Sequence, residues 1–296
     1  MTRLTANDFH PEVLRLFDNY VHGRISRSEF VDGAAGFAAG GTTGEGLLEA
    51  LSPKFAEAMQ VQPTDARIRT EFVELDSPEG NGRVRGYLVQ PVKAQGRLPG
   101  ILVVHENRGL NPHIEDIARR LALEDFIAFA PDSLTTVGGY PGDEDRAREL
   151  FAQLDRAKSQ LDFLAGARYL RELPQLNGRY GATGFCFGGG VVNMLATRLP
   201  DLGAAVPFYG GAPKIPDVPR IRAPLLIHLA EHDDNINRQW PDYETALKTA
   251  GMRYEMYRYP GTQHGFNNDT TPRYDVAAAK LAWDRTIAFF NRHLRA

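Results

Sequence analysis

The sequence predicts an α/β protein: a mostly parallel central sheet flanked by helices, preceded by an N-terminal helical extension. Three observations carry this reading. From Pro63 onward, short apolar runs of strand length alternate with amphipathic stretches of helix length, the order that builds a parallel sheet covered on both faces. Gly100-Ile-Leu-Val-Val-His105 is apolar without alternation, as a strand buried on both faces must be. Residues 1–62 show helical periodicity and no strand-like run. The boundary falls near Gln62-Pro63, giving an extension over 1–62 and a sheet domain over 63–296.

In the extension, Leu14, Phe17 and Val21 recur at helical spacing, as do Leu47, Leu48 and Leu51. Ile68 to Leu75 and Val84 to Gln90 read as a β-hairpin across the turn-rich Ser77-Pro-Glu-Gly-Asn-Gly82. After the strand at 100–105, Ile114, Ile117, Ala118, Leu121 and Ala122 mark an amphipathic helix. A short strand at Phe126 to Ala130 precedes a helical region at 143–173, and Tyr180 to Phe185 is a strand running into Gly188-Gly-Gly190 and a helix. Ala204 to Tyr209 and Leu225 to Ala230 are further buried strands; a helix over 239–250, a strand over 253–259 and a closing helix with Val276, Ala279, Trp283, Ile287, Phe290 and Leu294 complete the chain.

Composition excludes several classes. Net charge is −3, with both signs interspersed, so no basic stripe offers the surface that nucleic acid requires. The cluster Asp143 to Glu149 mixes signs and reads as a solvated helix start. No apolar run reaches the 18 residues of a membrane-spanning helix. A single cysteine permits no internal disulfide and fits a reducing compartment, so a cytoplasmic protein is expected. Ser26-Arg-Ser-Glu-Phe-Val31 resembles a worn twin-arginine export signal, but the stretch from Ala34 to Leu51 is glycine-rich and carries Glu45 and Glu49, a poor apolar region for export.

The chemistry centres on Gly184-Phe-Cys186-Phe-Gly188, at the junction of a strand and a helix. In an α/β-hydrolase fold the nucleophile occupies such a sharp turn, and the positions two before and two after it must be nearly free of side chain. The bland alternative is a buried cysteine filling space. As nucleophile, Cys186 would attack a carbonyl while the backbone N–H of Phe187, at the helix start, faces the developing oxyanion; the N–H of Asn107 is the second expected donor. The fold orders its triad nucleophile, acid, histidine. His264, in Gly261-Thr-Gln-His264-Gly-Phe266 between the last strand and the last helix, has the required position. His105 and His228 lie in or beside strands, His293 lies close to the last residue, and His232 is too early. The acid should follow the strand at 225–230; Asp233 is favoured and Asp234 is its rival, the latter also readable as a helix cap.

Together, Gly184-Phe-Cys-Phe-Gly-Gly189, His105-Glu106 and His264-Gly-Phe266 resemble the dienelactone hydrolase (carboxymethylenebutenolidase) family over roughly residues 65 to 295. The resemblance implies a Cys186–His264–Asp233 triad that opens an enol lactone through an acyl-enzyme, and a Glu106 carboxylate contacting the resting thiol. It also exposes a departure. The family's dienelactone-cleaving members carry an arginine shortly after the histidine to grip the substrate carboxylate, whereas His264-Gly-Phe-Asn-Asn268 places an amide there. An amide makes no charge-assisted bidentate pair. Arg146 or Arg148 would have to supply the cation, and Tyr140 and Tyr209 are candidates to line the pocket.

The expected activity is hydrolysis of a small carboxylic ester or lactone, with a thioesterase or small-substrate peptidase as variants. The different class is a catalytically silent hydrolase fold used for binding, in which residues 1–60 form an interaction segment or a homo-oligomer contact. Redox sensing lacks a resolving cysteine. No cofactor or metal is expected: His228 and His232 are four apart on a strand rather than a helix, and neither a phosphate-binding nor a nicotinamide-binding glycine fingerprint is present.

Overall fold

The apolar run at residues 100–105 becomes the centre of the sheet. The computed structural model describes residues 3–38 and 41–295, so positions 39 and 40 of the glycine-rich stretch lie outside the described residues. Its strands are β1 (Ile68–Ser77), β2 (Gly82–Pro91), β3 (Leu98–Val104), β4 (Ile127–Pro131), β5 (Leu176–Phe185), β6 (Ala204–Phe208), β7 (Leu225–His232) and β8 (Tyr254–Gln263). They form one eight-stranded sheet in the order β1-β2-β4-β3-β5-β6-β7-β8. The β1–β2 and β2–β4 pairs are antiparallel and every other pair is parallel.

Period-two side chains divide β3 between two apolar layers. Ile101 and Val103 join Ile114, Ile117 and Leu121 of helix α5 (Pro112–Leu123) and Phe290 of α11 (Val276–Leu294). Leu102 and Val104 join Phe163 and Leu170 of α7 (Arg156–Glu172) and Val192 and Leu195 of α8 (Phe187–Arg198). Burial on both sides explains why the strand's sequence does not alternate. The region at 143–173 is two helices rather than one: α6 (Glu144–Ala152) stops before Asp155, whose carboxylate accepts from the N–H groups of Ala157 and Lys158 and caps α7. Such a cap is worth about 1 kcal/mol. The short α9 (Asp234–Asn237) and α10 (Trp240–Thr249) connect β7 to β8.

The extension folds as α1 (Pro11–Val21), α2 (Arg27–Ala35), α3 (Gly44–Leu51) and α4 (Phe55–Ala58). Val13, Leu14, Phe17, Tyr20, Phe30, Ala34, Leu48 and Leu51 give it a small core of its own. The segment that resembles an export signal is the start of α2: Ser26 caps the helix and Glu29 returns the bond to the Ser26 N–H, a reciprocal capping box. The extension lies against the sheet domain. Lys54 N–H donates to the Thr270 carbonyl at 2.8 Å, and the Asn107 amide donates to the Val21 carbonyl at 2.7 Å. Among the described residues no helix is long and apolar enough to cross a membrane.

Candidate active site

The carboxyl ends of the parallel strands converge on one point, where ligands of open α/β sheets bind. The loop after β3 brings Glu106 and Asn107, the end of β5 brings Cys186, the end of β7 brings Asp233, and the end of β8 brings His264.

Cys186 turns the chain from β5 into α8 with φ 56° and ψ −115°, a left-handed conformation that costs a side-chain-bearing residue about 1–3 kcal/mol. The flanking glycines make room for it. A Cβ on Gly184 would lie 2.4 Å from the Gly188 carbonyl oxygen, and one on Gly188 would lie 2.3 Å from that of Val104. Main chain meets main chain on both sides, so neither neighbour can yield cheaply. Phe187 is the first residue of α8 and therefore has no carbonyl within the helix to receive its N–H. The N–H of Asn107 likewise has no hydrogen-bond partner among the described residues, and its side chain is fixed on the extension.

His264 Nδ1 lies 2.6 Å from Asp233 Oδ2. Asp233 also accepts the Ile236 N–H as cap of α9, whereas Asp234 is an exposed first residue of that helix. The carboxylate in reach of the imidazole is thus Asp233. His264 is buried and its Nε2 has no hydrogen-bond partner, which leaves that nitrogen open toward the thiol side.

The residue that does touch the thiol was not foreseen. His22, the cap residue after α1, places Nε2 3.5 Å from Cys186 Sγ. Its Nδ1 is held 2.7 Å from the Asp18 carbonyl oxygen and 3.2 Å from Asp18 Oδ1. One ring nitrogen of each histidine and Cys186 Sγ all lie within 4.8 Å of one another. These three are the only such convergent group among the described residues; both imidazoles have a carboxylate behind them and a sulfur in front, an acid–base arrangement, and no metal role is assigned to them. Burial alone would push the thiol up, but the His264 and His22 imidazoles outweigh it and bring Cys186 down to about 6. Burial would lower both histidines; Cys186 and Asp18 nevertheless raise His22 to about 9, and Cys186 with Asp233 raises His264 well above its ordinary value.

Glu106 does not make the expected thiol contact. Its carboxylate instead accepts from the Asn268 amide at 2.9 Å, and Asn268 is oriented for this because its own oxygen accepts from the N–H and hydroxyl of Thr270. With His22 on the sulfur, the carboxylate is held aside. Arg146 also falls outside the site: it is exposed and pairs with Glu149 at 3.0 Å. Arg148 lies over the Tyr20 ring at 4.5 Å.

Cys186, His22, Asn107 and His264 border two cavities, of about 720 and 420 Å³. The larger runs under the extension and is lined by Tyr140, Asn268 and Arg108, among others; Tyr209 is fully buried and lines the smaller, with its ring 4.9 Å from that of His264. Part of the acidic cluster at 143–149 belongs to this wall rather than to solvent. Glu144 receives the Tyr140 hydroxyl at 2.9 Å and faces Arg108 at 3.7 Å, while Asp145 receives the Tyr20 hydroxyl of α1. A cation from beyond the histidine loop is present too: Arg273 folds back over Gly265 and reaches Asp18 at 3.7 Å. Gly265 has φ +83°, and a Cβ there would sit 3.3 Å from the guanidinium.

Comparison with known proteins agrees with this architecture. The model of the dienelactone hydrolase family matches residues 84–294. The chain belongs to the dienelactone hydrolase family. It is 32% identical over 267 residues to the "Putative carboxymethylenebutenolidase" of Escherichia coli K12, covering 85% of this chain and 97% of that protein. It is 36% identical over 234 residues to "Protein usf" of Aquifex pyrophilus, covering 73% and 96%. The solved "Putative Dienelactone Hydrolase" of Klebsiella pneumoniae superposes with a TM-score of 0.68 at 28% identity, covering 76% of this chain and 99% of that one. A second family model, YqhI-like, matches residues 1–39, the segment that carries Asp18 and His22. As a member of the dienelactone hydrolase family with the α/β-hydrolase fold, the chain is a hydrolase.

Proposed function

We propose that this hydrolase cleaves small carboxylic esters or lactones through a Cys186–His264–Asp233 triad and a thioester intermediate. The observation that carries the reading is the sulfur raised on a strained turn beside an imidazole whose far nitrogen is 2.6 Å from a buried carboxylate. A thiol brought down to about 6 is largely thiolate at neutral pH and needs no further base to attack.

The thiolate adds to the carbonyl carbon, and the displaced electron pair moves to the carbonyl oxygen. The N–H groups of Phe187 and Asn107, with the start of α8 behind the former, are the donors for that oxyanion. Collapse breaks the carbon–oxygen bond as the protonated Nε2 of His264 gives its proton to the leaving alkoxide. In a lactone the leaving oxygen stays tethered to the acyl group. His264 then takes a proton from water, the resulting hydroxide adds to the thioester, and collapse returns the thiolate. Asp233 holds the tautomer with Nε2 toward the chemistry and stabilises the imidazolium in both halves.

A cavity of about 720 Å³ suits a small molecule. The Asn268 amide is engaged with Glu106 and offers no cationic grip for a carboxylate. A panel of aryl acetates, thioesters, and lactones with and without a carboxylate tests the reading, with Cys186→Ala as background. Turnover of the neutral esters or lactones well above that background is expected. Activity indistinguishable from Cys186→Ala across the whole panel would reject it.

A further inference from the structure

We infer that the N-terminal extension supplies a working part of the active site: His22, held by Asp18, is a second cationic partner, beside His264, that stabilises the resting Cys186 thiolate. This rests on Cys186 being the nucleophile, and it gives the extension a chemical role in addition to a covering one.

The geometry is specific. His22 closes α1 and Cys186 opens α8, so the carbonyl end of one helix faces the N–H end of another. The macrodipole favours a cation at the first and an anion at the second. An imidazolium against a thiolate, 3.5 Å apart, is the charge pattern both helix ends support. With Nδ1–H on the Asp18 carbonyl oxygen, the ring can only present Nε2 to the sulfur. Asp18 in turn stays ionised. Burial would raise it, but His22, His264 and Arg273 hold it well below the ordinary carboxylate range. Arg24 adds a bond at 3.2 Å to its other oxygen.

Among the surrounding charges the His264 imidazole also draws the thiol down, and His22 adds the contact at 3.5 Å. From the loops after β7 and β8, Asp233 and His264 form the pair assigned to proton transfer. From the loop after β3, Glu106 is bound to Asn268 and Arg108 faces Glu144. Arg148 of α6 and Arg156 of α7 lie over the rings of Tyr20 and Phe151. His22 Nε2 lies 3.5 Å from the sulfur. It therefore occupies the place that resemblance to the family gives to Glu106. It does so with the opposite charge, so the thiol is held as an activated anion instead of being shielded by a carboxylate.

The test is the pH dependence of iodoacetamide alkylation of Cys186 in the full-length enzyme without substrate, which reads the thiolate directly. The wild type should show a midpoint near pH 6. His22→Gln, which keeps a polar side chain but no charge, should move the midpoint up by about one unit or more, slowing alkylation at pH 6 by about fivefold or more. Asp18→Asn should move it in the same direction by less, and serves as the second variant if His22→Gln does not give the wild-type circular dichroism spectrum. A folded variant whose midpoint coincides with wild type would overturn the inference. Ester turnover that survives in Cys186→Ala would instead reject the nucleophile assignment, so the two failures are distinguishable.

Discussion

Cys186→Ala is expected to reduce hydrolysis of p-nitrophenyl acetate by at least about 10⁴-fold while the fold persists. The size follows from what is lost. In the proposed mechanism, no covalent intermediate forms without the sulfur, and only binding and the two backbone donors would continue to act on the carbonyl, leaving a small residual acceleration over water. Retention of the fold follows from the same local geometry. Cys186 is half-buried against the cavity, and the turn is fixed by main-chain bonds, Cys186 N–H to the Phe208 carbonyl at 3.1 Å and Gly190 N–H to the Cys186 carbonyl at 3.2 Å, that alanine also makes. Replacing cysteine by alanine at φ 56° neither adds nor removes backbone strain of consequence, so melting should change little. Steady-state rates at matched concentration, with the melting curve as control, give the answer. A variant that keeps more than a few per cent of activity would contradict the assignment.

The second large effect is expected at the histidine. His264→Ala removes the group proposed to give a proton to the leaving oxygen and to take one from the deacylating water, so both half-reactions should slow. A loss of about 10⁴-fold or more is expected in turnover of alkyl esters, which have poor leaving groups, and a smaller one for aryl esters whose leaving oxygen needs less help. Asp233→Asn should reach about 10⁴-fold by a different route, because an amide in place of the carboxylate favours the wrong imidazole tautomer. It also keeps an oxygen for the Ile236 N–H and so spares the cap of α9. Turnover of a matched pair of alkyl and aryl acetates separates the two roles. Equal losses on both substrates in His264→Ala would argue that the imidazole does not protonate the leaving group.

What could be read in the sequence was whatever local sterics or chain order enforces. The turn at Cys186 was legible because a left-handed, side-chain-bearing residue at this strand-to-helix junction demands bare backbone two residues to either side, and Gly184 and Gly188 stand there. His264 was legible because the strand order leaves one loop, after the last strand, that faces the turn carrying Cys186. Residues 143–173 were read as helical, but not as two helices, since the boundary depends on the Asp155 cap rather than on periodicity. The thiol's partner was not legible. Asp18 and His22 are four apart on one helical face, a pattern visible in the sequence, but nothing local says that this face lies over a cysteine 164 residues away. Arg273 escaped for a related reason: its spacing from His264 is longer than the expected arginine's, and only the fold of the loop over Gly265 brings it back. Glu106 illustrates the converse. It lies beside Cys186 in the cavity lining, but its contact depends on which hydrogen-bond donor reaches it, here the Asn268 amide and not the thiol.

The proposed chemistry turns on one bond between the Cys186 sulfur and an acyl carbon. Rapid acid quench during turnover of p-nitrophenyl acetate, followed by peptide mass spectrometry, should find one acetyl group on the peptide containing Cys186, sensitive to hydroxylamine, and none in Cys186→Ala. An acetyl group on a different residue, or full turnover with no acylated peptide under conditions where deacylation is slow, would contradict it.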